Sequence, residues 1–176
     1  VSEQFNIASG GNIKSIKPKQ KGYAIEVRVN AEKAVIQNDD VNFIPNAGKI
    51  TRCEIPEGKD IQILKSIDTN KEVTPFYDSM VVQIICYGKD RNDTIKKLLS
   101  YLDSVVIQGV STNIPLIKRI LNDEVFIDGD YDTNYLPKFL DRTDRDSLIE
   151  EIEASAGHDK NSVTLDTLKV EGSNEL

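Results

Sequence analysis

Polar side chains recur at every second position in the stretch Tyr23-Ala24-Ile25-Glu26-Val27-Arg28-Val29-Asn30. A period of two puts Tyr23, Ile25, Val27 and Val29 on one face of an extended strand, and Ala24, Glu26, Arg28 and Asn30 on the other. A carboxylate, a guanidinium and an amide in one row could meet an anion, with Glu26 and Asn30 orienting Arg28. Spacing alone favours the plainer reading, a strand face that its charges keep wet. Asp78 stands just before the apolar run Met80–Tyr87. A carboxylate there needs a partner or water. It is either an ordinary strand-end residue or the anion that holds Arg28 in place.

Other chemistries find no footing. Cys53, Cys86 and His158 are scattered, and a structural zinc site takes about four nitrogen or sulfur ligands. Cys86 lies inside an apolar run and reads as a buried free thiol. Two cysteines in an acidic domain fit a reducing cytosol, so the expected localisation is cytoplasmic. Gly10-Gly11 has no GxGxxG or GxxxxGK[ST] around it and reads as a helix C-cap for residues 2–9. The net charge is −7 and no basic cluster exists. Nucleic acid, which is held by clustered Lys and Arg, is therefore not an expected partner. No apolar run reaches the roughly 20 residues that span a bilayer, so no membrane partner is expected.

The elements that must position this row are legible in outline. Ile13–Lys21 is a polar connector. Residues 33–42, rich in Asn and Asp, read as a loop. Lys49–Ile55 and Asp60–Ile67 are short strand candidates, with Pro56-Glu57-Gly58 as the turn between them. Met80–Tyr87 is nearly all apolar and β-branched, the mark of a central strand. Asp90 caps a helix with Ile95, Leu98, Leu99 and Leu102 on one face, and Thr112 caps a second with Pro115 in its first turn. Asp123–Asp132 reads as an acidic turn region and Thr133–Leu140 as a last packed segment. Strands and helices without strict βαβ alternation predict an α+β fold, largely antiparallel with a few packed helices. Residues 1–140 are expected to form one domain. Residues 141–176 are expected to be an acidic, weakly ordered tail or linker, with a short helix over Ser147–Ala156. The opening Val1-Ser2-Glu3-Gln4 is neither a signal peptide nor a natural start, so a fragment of a longer protein is expected.

Five motifs, in order, carry a resemblance to the biotin carboxylase family. Gly22–Glu32 resembles the strand written GHAIExRxNAED. Phe43–Ile50 is similar to FxPSPGKI, and Val73–Met80 to VxPYYDSM. Tyr87–Arg91 resembles YGxDR, and Gly109–Asn113 resembles GxxTN. The likeness covers about residues 2–140 and implies the C-terminal domain of that family. There an ATP-grasp enzyme activates bicarbonate with ATP and delivers the carbon to the ureido nitrogen of carrier-bound biotin.

Within that resemblance, Arg28 is the biotin-contacting and catalytic residue, with Glu26, Asn30 and Asp78 in support. Taking a proton from the ureido nitrogen puts negative charge on the ureido oxygen. A fixed guanidinium aimed at developing charge lowers the barrier by a few kcal/mol in a closed site, and Arg never loses its proton. The family's ATP and magnesium groups lie earlier in such proteins, and nothing in this chain replaces them. No metal ligands are expected here. The implied partners are a biotin carboxyl carrier domain and a carboxyltransferase subunit or domain, in an acetyl-CoA, propionyl-CoA or pyruvate carboxylase.

Several positions depart from the family's pattern. The usual His is Tyr23, the Lys of DSMxxKL is Gln83, and the Arg of GVRxD is Gln62. Because that last stretch contributes to the dimer interface in bacterial members, the implied homodimer is set in doubt. Lys33-Ala34 replaces Asp-Pro and opens a segment longer than usual. The readings left open are a portion of a ligase, inactive on its own, and a non-catalytic module that docks a biotin carrier or partner subunit.

Overall fold

The structure, a computed structural model, describes residues 1–12 and 19–157. The expected connector therefore lies mostly, and His158 and the tail beyond it wholly, outside the described residues.

Strand β1 (Tyr23–Asn30) forms where the period-two pattern places it, and Ile25, Val27 and Val29 are buried. Tyr23, expected inside with them, is 37% exposed. Strand β8 (Met80–Gly88) is the middle of a three-stranded sheet of order β1-β8-β6, with β6 spanning Ile61–Lys65. Both pairings are antiparallel, and Arg28 stands opposite Gln83. The apolar run is central because both its edges are paired, with β1 on one side and β6 on the other, and Val82, Ile84 and Cys86 on its inner face are 0–1% exposed. Helix α2 (Arg91–Leu102) packs under the sheet. Its start is set by Asp90, whose side chain accepts the N–H of Asp93 at 2.8 Å. Ile95, Leu98 and Leu102 face the core, while Leu99 is only partly buried.

Three short pairings surround this sheet. Strand β4 (Gly48–Lys49) pairs with β7 (Glu72–Val73), and β5 (Arg52–Glu54) with β9 (Val106–Gln108). The two strand candidates flanking Pro56–Gly58 are thus not partners, because β5 and β6 belong to different sheets. The stretch read as a loop is a β-hairpin, β2 (Glu32–Gln37) with β3 (Asp40–Pro45). Asn38 and Asp39 both adopt positive φ, +54° and +64°. That is the two-residue turn whose twist matches the strands, and Asn and Asp tolerate it. The residues that suggested a loop are the turn of a hairpin.

Helices α1 (Ser2–Ala8), α3 (Ile114–Leu121), α4 (Glu124–Asp128), α5 (Tyr135–Asp141) and α6 (Arg145–Ala154) complete the described chain. Gly10 follows α1 at φ +85°, the C-cap role expected of it. The acidic region after Asp123 holds α4, begun by the Asp123 side chain and ended by Gly129 at φ +77°.

A boundary at residue 140 falls inside α5, and the packed chain continues to Gly157. Leu148 and Ile152 of α6 are fully buried with Ala34, Leu116 and Phe139 in a second core cluster. Val41 and Phe43 of the hairpin pack against it. Asp and Glu on the other face of α6 give it the composition of a tail, but two apolar positions one turn apart suffice to dock it. The whole is α+β with antiparallel sheets, as expected.

Candidate functional site

Arg28 projects from the outer face of β1, its side chain 69% exposed. Its Nε lies 3.2 Å from Oε1 of Glu26, two residues back on the same face. The Gln83 amide and then the Arg28 guanidinium hold the Glu26 carboxyl below the usual carboxylate range. Glu26 is therefore ionised near neutrality and is the anion beside the guanidinium. In water such a pair contributes little to folding. Its consequence is to bias where the guanidinium points.

The Asn30 side chain makes no hydrogen bond to Arg28 among the described residues. Its amide donates to Glu32 Oε1 at 3.1 Å, and its Oδ1 is buried without a hydrogen-bond partner. Glu32 Oε1 also accepts the Ser79 hydroxyl. Asp78 is not the partner of Arg28 among the described residues. Its Oδ1 accepts the backbone N–H of Met80 at 2.8 Å, which fixes the entry into β8. The carboxylate meets a local backbone donor before it can reach a distant cation. Beside it, Phe76 and Tyr77 are 85% and 83% exposed.

Sequence reasoning does not single out three further contributors. Gln83 faces Glu26 from the neighbouring strand. Glu32 ties Asn30 to Ser79. Asn113, the last residue of the GxxTN-like motif, bonds the backbone of β1 through its side chain. The motif itself is the available signal for Asn113. Tyr23, where the family has His, accepts from Arg91 at 2.7 Å and leaves the outer row unchanged.

Cys53 and Cys86 are free. Burial raises both thiols above their ordinary range, so neither is poised as a nucleophile. Among the described residues no cluster of three or more His, Cys, Asp or Glu could hold a metal ion. No helix among them is long and apolar enough to cross a membrane.

The site thus sits on an antiparallel α+β domain, with the Arg28 guanidinium standing out from the edge strand β1. The chain belongs to the biotin carboxylase C-terminal domain family, whose model matches residues 26–138, well over half of it. It is 33% identical over 142 residues to biotin carboxylase 1 of Bacillus subtilis, covering 79% of this chain and 30% of that one. It is 37% identical over 142 residues to the biotin carboxylase of Haemophilus influenzae, covering 80% and 30%. Among solved structures it resembles the biotin carboxylase domain dimer of Hydrogenobacter thermophilus 2-oxoglutarate carboxylase, in complex with MgADP, ADP and bicarbonate. There the TM-score is 0.65 at 32% identity, over 77% of this chain and 29% of that one. The chain spans less than a third of the length of these relatives.

Proposed function

We propose that this chain is the biotin-facing portion of an ATP- and bicarbonate-dependent biotin carboxylase, a ligase, and that Arg28 meets the ureido oxygen of carrier-bound biotin. The observation that carries the reading is the placement of Arg28. Its guanidinium is open to a substrate, backed by the ionised Glu26, on a strand that matches the family's motif. When the ureido nitrogen loses its proton, charge gathers on the oxygen. A guanidinium already in position stabilises that charge without reorganising. Glu26 orients Arg28, and the unpartnered Oδ1 of Asn30 is an acceptor on the same strand. Asp78 acts on the strand entry rather than on the guanidinium.

In this reading ATP and magnesium bind to another part of the protein. The carrier domain brings biotin, and a carboxyltransferase component takes it away. The acceptor is an acyl-CoA or pyruvate-type acid. The compartment is the cytoplasm. The family's homodimer stays open, because Gln62, at the position of its interface arginine, accepts the Tyr87 hydroxyl at 3.1 Å within this chain. A second reading, a docking module without catalysis, draws on the exposed pair Phe76 and Tyr77.

Arg28→Ala in the protein that contains this chain separates the two. The expected result is a loss of biotin carboxylation by a factor on the order of 10² to 10³ with ATP affinity nearly unchanged. Normal turnover removes Arg28 from the mechanism. Calorimetry of this chain alone with Mg-ATP is expected to show no binding.

A further inference from the structure

We infer that Asn113 is a positioning residue for Arg28, holding the backbone of β1 from its open edge. This rests on the biotin reading of Arg28 given above. β1 lies at the edge of its sheet, so β8 satisfies its backbone groups on one side only. On the other side stands Asn113. Its Nδ2 donates to the carbonyl of Arg28 at 3.1 Å, and its Oδ1 accepts the N–H of Asn30 at 2.9 Å. Its own backbone N–H donates to the carbonyl of Asn30 at 3.2 Å. A side-chain amide offers one donor and one acceptor in the geometry of a peptide group, so Asn113 stands in for the absent neighbouring strand.

Asn113 gives up its ordinary role to do so. It sits at the N-cap of α3, where Asn normally accepts an N–H of the first turn. Here its side chain makes no cap hydrogen bond. Both hydrogen-bonding ends of that side chain go to the strand, at the residue that carries the guanidinium and the one two further on. Val29 between them is fully buried, so the segment is held from the edge and from below at once. Asn113 is itself anchored. The Ser155 hydroxyl accepts the N–H of Thr112 at 2.9 Å, and the carbonyl of Ala156 accepts the N–H of Gly109 at 2.8 Å.

The test is a double-mutant cycle in the protein that contains this chain. It uses Arg28→Ala, Asn113→Ala and both together, assayed by ATP- and bicarbonate-dependent carboxylation of biotin. Asn113→Ala is expected to lower turnover roughly tenfold to a hundredfold, as small misplacements of a catalytic group do. The KM for ATP is expected to stay within about twofold. In the Arg28→Ala background the same substitution is expected to change turnover by less than about twofold, because it acts through the guanidinium. Turnover of Asn113→Ala within twofold of the parent overturns the inference. So does an undiminished loss on top of Arg28→Ala, which marks a general structural role. Normal turnover of Arg28→Ala alone is a separate result and sinks the biotin reading itself. If Asn113→Ala does not fold, Asn113→Asp is read in the same cycle, since it keeps the acceptor for Asn30 and loses the donor to Arg28. Failure of both to fold overturns the inference as well.

Discussion

Ser155, at the C-terminal end of α6, accepts the backbone N–H of Thr112 at 2.9 Å. Thr112 directly precedes Asn113, which bonds the backbone of Arg28 and Asn30. The last described helix is thereby tied to the strand that bears the candidate site. Arg119 of α3 reinforces the junction, with its guanidinium on both carboxylate oxygens of Glu151 at 2.7 and 3.0 Å.

Removing that helix should therefore harm the domain. Leu148→Ala and Ile152→Ala each delete a fully buried side chain. Each is expected to cost about 2–5 kcal/mol, the range for truncating a buried Leu or Ile to Ala. Urea denaturation followed by circular dichroism measures it. A chain ending at residue 140 should show no cooperative transition. If it melts as the longer chain does, α6 is an appendage.

Asp78 and Glu26 are expected to separate in function. Asp78→Asn keeps an oxygen that can accept the Met80 N–H, so it should leave the melting temperature and biotin turnover of the enzyme unchanged. Glu26→Gln removes the charge beside Arg28 and should lower turnover without moving the melting temperature. Strong loss of turnover in Asp78→Asn would restore Asp78 as the partner of Arg28.

Gly109 sits at φ +98°, and a Cβ there would lie 2.1 Å from the carbonyl oxygen of Lys49. The atom in the way is backbone, at the end of β4 where the chain leaving β9 passes it, and cannot swing aside. Gly109→Ala is expected to destabilise the domain by more than about 2 kcal/mol, since strained backbone alone costs on the order of 1–3. Equilibrium unfolding in urea checks this, and a change under half that size would show that the junction yields.

Acid should weaken one identified contact. The Arg142 guanidinium holds the Asp123 carboxyl down from 3.8 to about 2, with the side chain only 10% exposed. A folded-state pKa below the unfolded one adds stability that is present above about pH 4 and is lost as pH falls through about 2. Asp123→Asn keeps an oxygen to cap α4 but cannot ionise. Stability of the variant measured between pH 4 and 2 should fall less steeply than that of the parent. Parallel curves would show that the pair contributes nothing.

Local chemistry alone determined much of this protein. The alternation in β1, the apolar run of β8 and the Asp90 cap of α2 are legible because period and capping act within a few residues. They suffice to turn Arg28 outward. The five motifs identified the family for the same reason, since each is a short, contiguous pattern. What only the tertiary structure decided are contacts between distant residues. Asn113 and Arg28 are 85 positions apart, and no local pattern encodes which strand edge an amide will fill. Glu26 rather than Asp78 faces the guanidinium because Asp78 finds the Met80 N–H nearby, a competition that depends on the turn geometry. The hairpin read as a loop, and α6 read as a short helix within a weakly ordered tail, because each is too small to bury a face alone. Packed together they enclose Ala34, Leu148 and Ile152, and burial in common makes both of them ordered structure.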